Sequence, residues 1–372
     1  DIKHMRKVHK LSARGIPSQL RGKAWQAFIG NDLEITRELY EIHVVGARNA
    51  RKELRDEQRK DESEGEESDH TPRYSEPLVM FRCSMPSIPT SASQSSSQFE
   101  SQFETHHTTI PEPSPKQQSS RKTEAAPKHK QDKTQTMDLL DQDLPRTLPE
   151  IQLMHTNGFM ESLRDMLQTF VLYRPDIGYV QGMSYVASVL LLIIHDEFDC
   201  FTSFANLIIS KKKHFIDFYK LRPKVISIHL RVFSHFFEDK LPLLFHRFRR
   251  FEIEPDMYYL EWCLTLYVKF LPLDVVTRLW DEYLIIGETF CIRVALGILK
   301  LYASQLCRME MEGILSFVKH LPQEDLDQAA LFESIQSIKI TVSRCEHIMK
   351  NYASTRRSHP AASRDFTPCS QS

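Results

Sequence analysis

FMESLRDMLQTFVLYRPDIGYVQGMS, residues 159–184, decides the fold. Its apolar positions Phe159, Leu163, Met166, Leu167, Phe170 and Val171 recur at intervals of three and four, the stripe of a helix with one buried face. Arg174-Pro175 closes that helix, because the proline ring disfavours helical geometry at the residue before it. Gly178 and Gly182 then flank Gln181 in a chain with only 11 glycines, so their placement carries information. Glycine permits unusual φ and lets another backbone or a ligand come close. The run that follows, 183–194, is apolar all round and reads as a buried helix.

The same spacing extends outward on both sides. It predicts helices at 33–59, 200–209, 225–237, 257–270, 274–284, 290–306, 313–320 and 325–351, and alternating strand patterns are scarce. Two segments break the pattern. Residues 61–136 are rich in Ser, Gln, Glu, Pro and Thr and cannot bury enough apolar surface to offset chain entropy, so they read as disordered. Within them Pro77-Leu78-Val79-Met80-Phe81 is either a short docking motif or a chance apolar patch. The tail, 352–372, reads the same way as the insert. Loop-closure cost rises only logarithmically with length, so the ordered parts on either side of the insert can still form one domain.

Composition sets the bounds. With 372 residues, 41% hydrophobic, the chain can fill one large core or two lobes. A net charge of −1 gives no support to nucleic-acid binding. Lys211-Lys212-Lys213 and the cluster of Arg247, Arg249 and Arg250 read as solvated helix faces. The seven cysteines form no CxxC pair and several sit in apolar runs, which points to reduced thiols and a cytosolic chain. Cys345-Glu346-His347 is too lean for a zinc site. The longest apolar run, 185–194, is too short to span a bilayer, and no signal peptide is visible. The chain begins at Asp1 without a methionine and reads as a segment of a longer protein.

Four places could carry chemistry. Arg146 follows Pro145, which fixes its own φ and pushes Leu144 toward extended geometry, so the arginine projects from a stiffened segment. Asp143, three residues back, can hold the guanidinium, and Thr147 can bond the local backbone. From these residues alone Arg146 is equally a surface arginine in a loop. Gln181 is either a presented carboxamide, with Tyr179 bracing the loop, or the cap of the next helix. In GIPSQLRGKAW, residues 15–25, Ser18 reads as the N-cap of a helix beginning near Gln19. Arg21 and Trp25 share one face of it; they read first as a core tryptophan with a covering arginine, and stacking of the guanidinium on the indole would also fit. Trp262 and Trp280 read as core, and Asp281 as a hydrogen-bonding group rather than a catalytic acid.

Taken in order, these stretches resemble the TBC-domain family of Rab GTPase-activating proteins. Arg21 and Trp25 fit its RxxW motif. Leu140, Asp143, Arg146 and Thr147 fit IxxDxxRT, with Leu140 in place of the usual Ile, and Tyr179 and Gln181 fit YxQ. The stretch from Trp262 through Trp280-Asp281 to Lys300 is similar to the family's second lobe. Tyr173-Arg174-Pro175-Asp176 and residues 178–184 look most like family members twelve and fourteen.

The resemblance implies an all-α, two-lobed helical TBC domain interrupted by a long disordered insert. Its first lobe would comprise 1–60 and 137–210 around the 61–136 insert, its second 211–351, with the tail at 352–372. It further implies that Arg146 is an arginine finger and Gln181 a glutamine finger, both supplied in trans to a GTP-bound Rab-family GTPase. Asp143, Thr147, Tyr179, Gly182, Arg21 and Trp25 would support them. Mg²⁺ and GTP would belong to the Rab, so no cofactor and no metal of the chain's own are expected. The expected setting is cytoplasmic and peripheral to endosomal, Golgi or autophagic membranes, in vesicle trafficking or autophagy. The sequence departs from the family pattern at the long insert and at Leu148-Pro149, where an aromatic before proline is common and packing under the finger loop could loosen. Two other readings stay open. One is a catalytically silent Rab-binding scaffold. The other is a helical adaptor whose insert does the work, which deletion of 61–136 would separate.

Overall fold

The computed structural model describes residues 12, 14–65, 137–149, 151, 156–209, 216–220, 222 and 223–354. The expected insert from residue 66 onward, its apolar island, the lysine cluster at 211–213, and the tail from residue 355 lie outside them. So does the expected lobe boundary near residue 210. Residues 1–55 and 127–372 form one compact unit, and residues 56–126 a second, of which the described part is the end of a helix.

No strand occurs among the described residues. In chain order the main helices are α1 (Ser18–Ile29), α2 (Arg37–Gly65), α3 (Asn157–Tyr173), α4 (Met183–Ile193), α5 (Glu197–Ile209), α6 (Pro223–Lys240) and α7 (Pro242–Arg250). They continue as α8 (Tyr259–Leu264), α9 (Leu273–Ile286), α10 (Glu288–Leu301), α11 (Met311–Lys319), α12 (Gln328–Ser337) and α13 (Val342–Ser354). Residues 137–143 are also helical and run into a 3-10 turn, Leu144–Arg146. The helices pack as two lobes: α3, α4 and α5 against one another with α1 alongside, and α10 against α12 and α6, with α13 on α6. Contacts between α1 and α9 join the two. Across the insert, Arg48 and Arg51 of α2 both reach Asp165 of α3, at 2.6 and 2.7 Å, tying the chain before the gap to the chain after it.

Helix α3 follows its sequence pattern. Leu163, Met166, Leu167, Phe170 and Val171 are buried, and the helix stops where Arg174 N donates to Phe170 O just before Pro175. Helix α4 is buried from Met183 through Leu191.

Four expectations are corrected. The helix expected at 257–270 ends at Leu264, because Leu266 and Tyr267 adopt positive φ of 47° and 66°. That reversal aims the Leu266 carbonyl at Trp280 Nε1 (3.1 Å) and the Tyr267 hydroxyl at the Cys291 carbonyl (2.6 Å), satisfying buried polar groups of α9 and α10. The helix expected at 325–351 is two: Ile338 and Ile340, between α12 and α13, turn alternately into the core as extended chain. The helix expected at 290–306 breaks after Leu301. Ser18 does not cap α1; Pro17 holds the cap position and no side chain accepts there.

Candidate functional site

The short segment bearing Arg146 is a 3-10 turn, not the extended piece expected of a residue before proline. Thr147 N donates to Leu144 O (3.2 Å) and Thr147 Oγ1 to Asp143 O (2.8 Å), which closes the turn from inside. Leu148 follows with a φ of 46° and is buried, so the non-aromatic residue still packs beneath the loop. Pro145 stiffens the turn from within.

Asp143 is the centre of the arrangement. Its side chain is 1% exposed, and its two oxygens serve different loops. Oδ1 accepts from Arg146 Nε at 2.7 Å and also from Arg146 Nη2. Oδ2 accepts from the Tyr179 hydroxyl at 2.6 Å and from Gly182 N at 2.9 Å. One carboxylate therefore ties the arginine's turn to the Tyr179 side chain on one side of Gln181 and to the Gly182 backbone on the other. The side chain of Arg146 is 52% exposed, and Gln181 is exposed as well. Both head groups stay available to a partner while their bases are fixed.

The electrostatics follow from this geometry. Partial burial works to lower the Arg146 guanidinium, but the hydrogen bond and charge of Asp143 outweigh it and raise it above its ordinary value. Burial, then the neighbouring Asp143 charge, pushes the Tyr179 phenol well up, so it remains a donor. Gly182 sits at a φ of 98° as the cap residue of α4, and a Cβ there would lie 3.1 Å from Thr265 Cγ2. Only glycine makes this turn without strain while offering its N–H to Asp143. Gln181 is thus one residue before the cap rather than the cap itself.

Two helpers on α4 escaped the sequence reading. Tyr185 donates its hydroxyl to the Arg146 carbonyl (2.9 Å), and the Ser184 hydroxyl shares a hydrogen bond with Thr147 Oγ1 (2.7 Å). The signal was present: Ser184 and Tyr185 are polar-tipped residues at the start of a mostly apolar helix, and buried hydroxyls need partners.

Arg21 and Trp25 are elsewhere. The expected stacking gives way to a shared carboxylate: Asp281, with a fully buried side chain, pairs with Arg21 (Nε to Oδ1, 3.1 Å) and accepts from Trp25 Nε1 (2.8 Å) and Ile16 N (2.7 Å). The Trp25 ring instead lies against Trp280, centroids 5.3 Å apart. A Cβ on Gly22 would come within 2.7 Å of Ile193 O, so glycine lets α1 close on the far end of α4. Arg146 contacts the near end of α4 through Tyr185, and Gly22, between Arg21 and Trp25 in sequence, packs at the other.

A sequence model of the RabGAP-TBC family, described as the Rab-GTPase-TBC domain, matches residues 97–307, more than half of the chain. The chain belongs to the RabGAP-TBC family. The match takes in Arg146, Gln181 and Asp281 and leaves Arg21 and Trp25 outside. TBC1 domain family member 12 of Xenopus tropicalis is 32% identical over 340 residues, 91% of this chain and 40% of that protein. TBC1 domain family member 14 of Homo sapiens is 32% identical over 336 residues, 90% of this chain and 39% of that protein. The chain thus spans about two fifths of the length of these relatives. The flagellar RabGAP TBC domain of Chlamydomonas superposes with a TM-score of 0.59 at 17% identity, over 89% of this chain and 84% of that one, which marks a shared fold.

Among the described residues of this TBC domain, no group of His, Cys, Asp and Glu is arranged to hold a metal ion. No helix among them is long and apolar enough to cross a membrane. Cys200, Cys263, Cys291 and Cys345 are buried free thiols and Cys307 is an exposed one; Cys83 and Cys369 lie outside the described residues.

Proposed function

We propose that this TBC domain accelerates GTP hydrolysis on a Rab-type GTPase, with Arg146 and Gln181 entering the partner's nucleotide site. The observation that carries the reading is the Asp143 carboxylate, which binds both finger loops at once and leaves both tips exposed. Phosphoryl transfer asks little covalent chemistry of a protein; it needs charge placed on the transferred phosphate and a water held in line. Arg146 Nε and Nη2 are committed to Asp143, so the Nη1 edge of the fork is the part offered to phosphate oxygens. The Gln181 carboxamide both donates and accepts, the capacity needed to orient water. Mg²⁺ and GTP come with the Rab.

The test is phosphate release from a panel of GTP-loaded Rabs. An arginine finger in trans is worth roughly 10³–10⁵ in rate, or about 4–7 kcal/mol of barrier. Arg146→Ala should lose most of that on the responding Rab while the protein melts near the wild-type temperature. Arg146→Lys should recover little, since an ammonium lacks the planar fork. Gln181→Ala should also be severe, even where the Rab keeps its own glutamine. A wild-type chain that stimulates no Rab in the panel removes the reading, and tight binding of GTP-loaded Rab with unchanged hydrolysis makes it a scaffold. The site of action we propose is peripheral to endosomal, Golgi or autophagic membranes.

A further inference from the structure

The two proposed fingers stand on different ground. Arg146 is held by its own turn and by α4: Asp143 takes its guanidinium, Tyr185 its carbonyl, and Ser184 the neighbouring Thr147. Gln181 precedes Gly182, and Gly182 is gripped from two sides. Its N–H donates to Asp143 (2.9 Å). Its α-carbon meets the lobe built on α10, where the Thr265 methyl stands in the direction a side chain at 182 would take. A Cβ there would lie 3.1 Å from Thr265 Cγ2 and 3.8 Å from the Leu264 carbonyl oxygen. Thr265 is the residue that caps α8, and α8 packs on α10.

Every group behind that contact is fixed. Thr265 is 2% exposed, and its hydroxyl donates to the Glu261 carbonyl (3.0 Å), which leaves the methyl as the part turned to Gly182. The Leu264 carbonyl accepts from the Tyr219 hydroxyl (2.6 Å). Immediately after Thr265 the chain reverses through Leu266 and Tyr267 at positive φ, a strained conformation for residues with bulky side chains. Strained backbone persists where its surroundings over-determine it, and it gathers at functional sites. Here the surroundings are Trp280 Nε1 on the Leu266 carbonyl and the Cys291 carbonyl on the Tyr267 hydroxyl. Groups of α9 and α10 thus hold a strained turn directly behind the residue that meets the Gln181 loop.

We infer that Thr265 is a positioning residue for Gln181: through its methyl on Gly182 the second lobe sets where the carboxamide stands, while Arg146 is set without it. The role rests on the reading of Gln181 as a glutamine finger. Loosening the contact at Thr265 should therefore cost the share of the rate that depends on Gln181 and spare the seat of Arg146.

The experiment compares Thr265→Ala, which removes methyl and hydroxyl, with Thr265→Val, which keeps the methyl. On the responding Rab, Thr265→Ala should lower kcat several-fold with KM little changed, and Thr265→Val should restore most of it. In a Gln181→Ala background, Thr265→Ala should cost little more, because the group it positions is gone. Single-turnover phosphate release at high concentrations of the chain reads that residual rate. Amide hydrogen exchange gives a readout without a Rab. In Thr265→Ala the stretch 179–184, which holds the Gly182 N–H, should exchange several-fold faster, and the stretch 144–148 as in wild type. Thr265→Ser, which loses only the methyl, takes its place should the alanine variant fail to fold. Faster exchange at 179–184, together with a loss of kcat that depends on Gln181, supports the assignment. Wild-type exchange or wild-type kcat in folded Thr265→Ala overturns it, as does an equal further loss in the Gln181→Ala background. A wild type that stimulates no Rab removes the GTPase reading and the catalytic side of this role with it. Exchange then still decides the contact: acceleration at 179–184 supports the hold of Thr265 on the loop, and its absence overturns it.

Discussion

Asp143 and Asp281 are both buried carboxylates that knot together distant segments, yet they serve opposite ends. Asp143 gathers groups within 39 residues of itself, and the arginine it holds is half in solvent. Asp281 gathers groups 256 to 265 residues away, and its arginine is 14% exposed. The first knot aims a side chain outward; the second seals α1 onto α9. Burial of the carboxylate alone therefore does not mark a functional site. What separates the two is whether the cation it holds keeps an exposed face.

Substitution of each aspartate breaks that comparison most directly. Asp281→Ala leaves Arg21 with an uncompensated and largely buried charge, and leaves Trp25 Nε1 and Ile16 N without an acceptor. Breaking a buried pair from one side costs about 3–5 kcal/mol. Thermal or urea unfolding should register that loss, while the rate per folded molecule stays near wild type. Asp143→Ala should cost less stability, about 1–3 kcal/mol, because Arg146 can rehydrate and the main loss is the acceptor for Tyr179 and Gly182. Its phosphate-release rate per folded molecule should nonetheless fall most of the way to that of Arg146→Ala. Equal rate losses in Asp281→Ala and Asp143→Ala would erase the distinction.

The Asp143 knot was legible only in its local half: DxxR places Asp143 and Arg146 three residues apart, whereas Tyr179 and Gly182, 36 and 39 residues further on, reach the same carboxylate through the fold. The Asp281 knot was legible only as a tryptophan and an arginine on one helix face, since the carboxylate that joins them comes from the other end of the chain. Stacking was the local solution, and a long-range ion pair displaced it. The same reason explains the helices that fell short. Periodicity reported the apolar faces of α3, α4 and α9, where burial alone sets the pattern. It could not report the stop at Leu266-Tyr267, which is imposed by Trp280 Nε1 and the Cys291 carbonyl on other helices. Ile338 and Ile340 carry β-branched side chains that fit a helix stripe or an extended run equally well over so short a window.

A finer test concerns the backbone of the proposed arginine finger. Tyr185→Phe removes one hydroxyl from the Arg146 carbonyl and keeps the ring in the core. A neutral hydrogen bond of this kind is worth about 1 kcal/mol. A loss of several-fold in kcat with KM little changed would show the hydroxyl acting on finger position. A shift confined to the melting temperature would make Tyr185 structural only.

The smallest effect expected comes from a third aspartate, which shows what exposure does to the same kind of pair. Asp176 meets Arg174 at 2.7 Å, close before the Gln181 loop, but its side chain is 50% exposed. The Arg174 hydrogen bond, against some opposing desolvation, holds the Asp176 carboxyl down at about 2. A depressed carboxylate contributes stability at pH values above its unfolded value, near 3.9, and loses it as pH falls through its folded one. Asp176→Asn should therefore lower stability by less than about 1 kcal/mol at neutral pH, as solvent screens an exposed pair. The gap between variant and wild type should close between roughly pH 4 and pH 2, and paired melting curves at pH 6 and pH 3 would follow it. A gap at pH 6 as wide as that of Asp281→Ala would mean that solvent exposure does not set the strength of these ion pairs. Arg146 would then owe its fixed base to something other than the buried carboxylate beneath it.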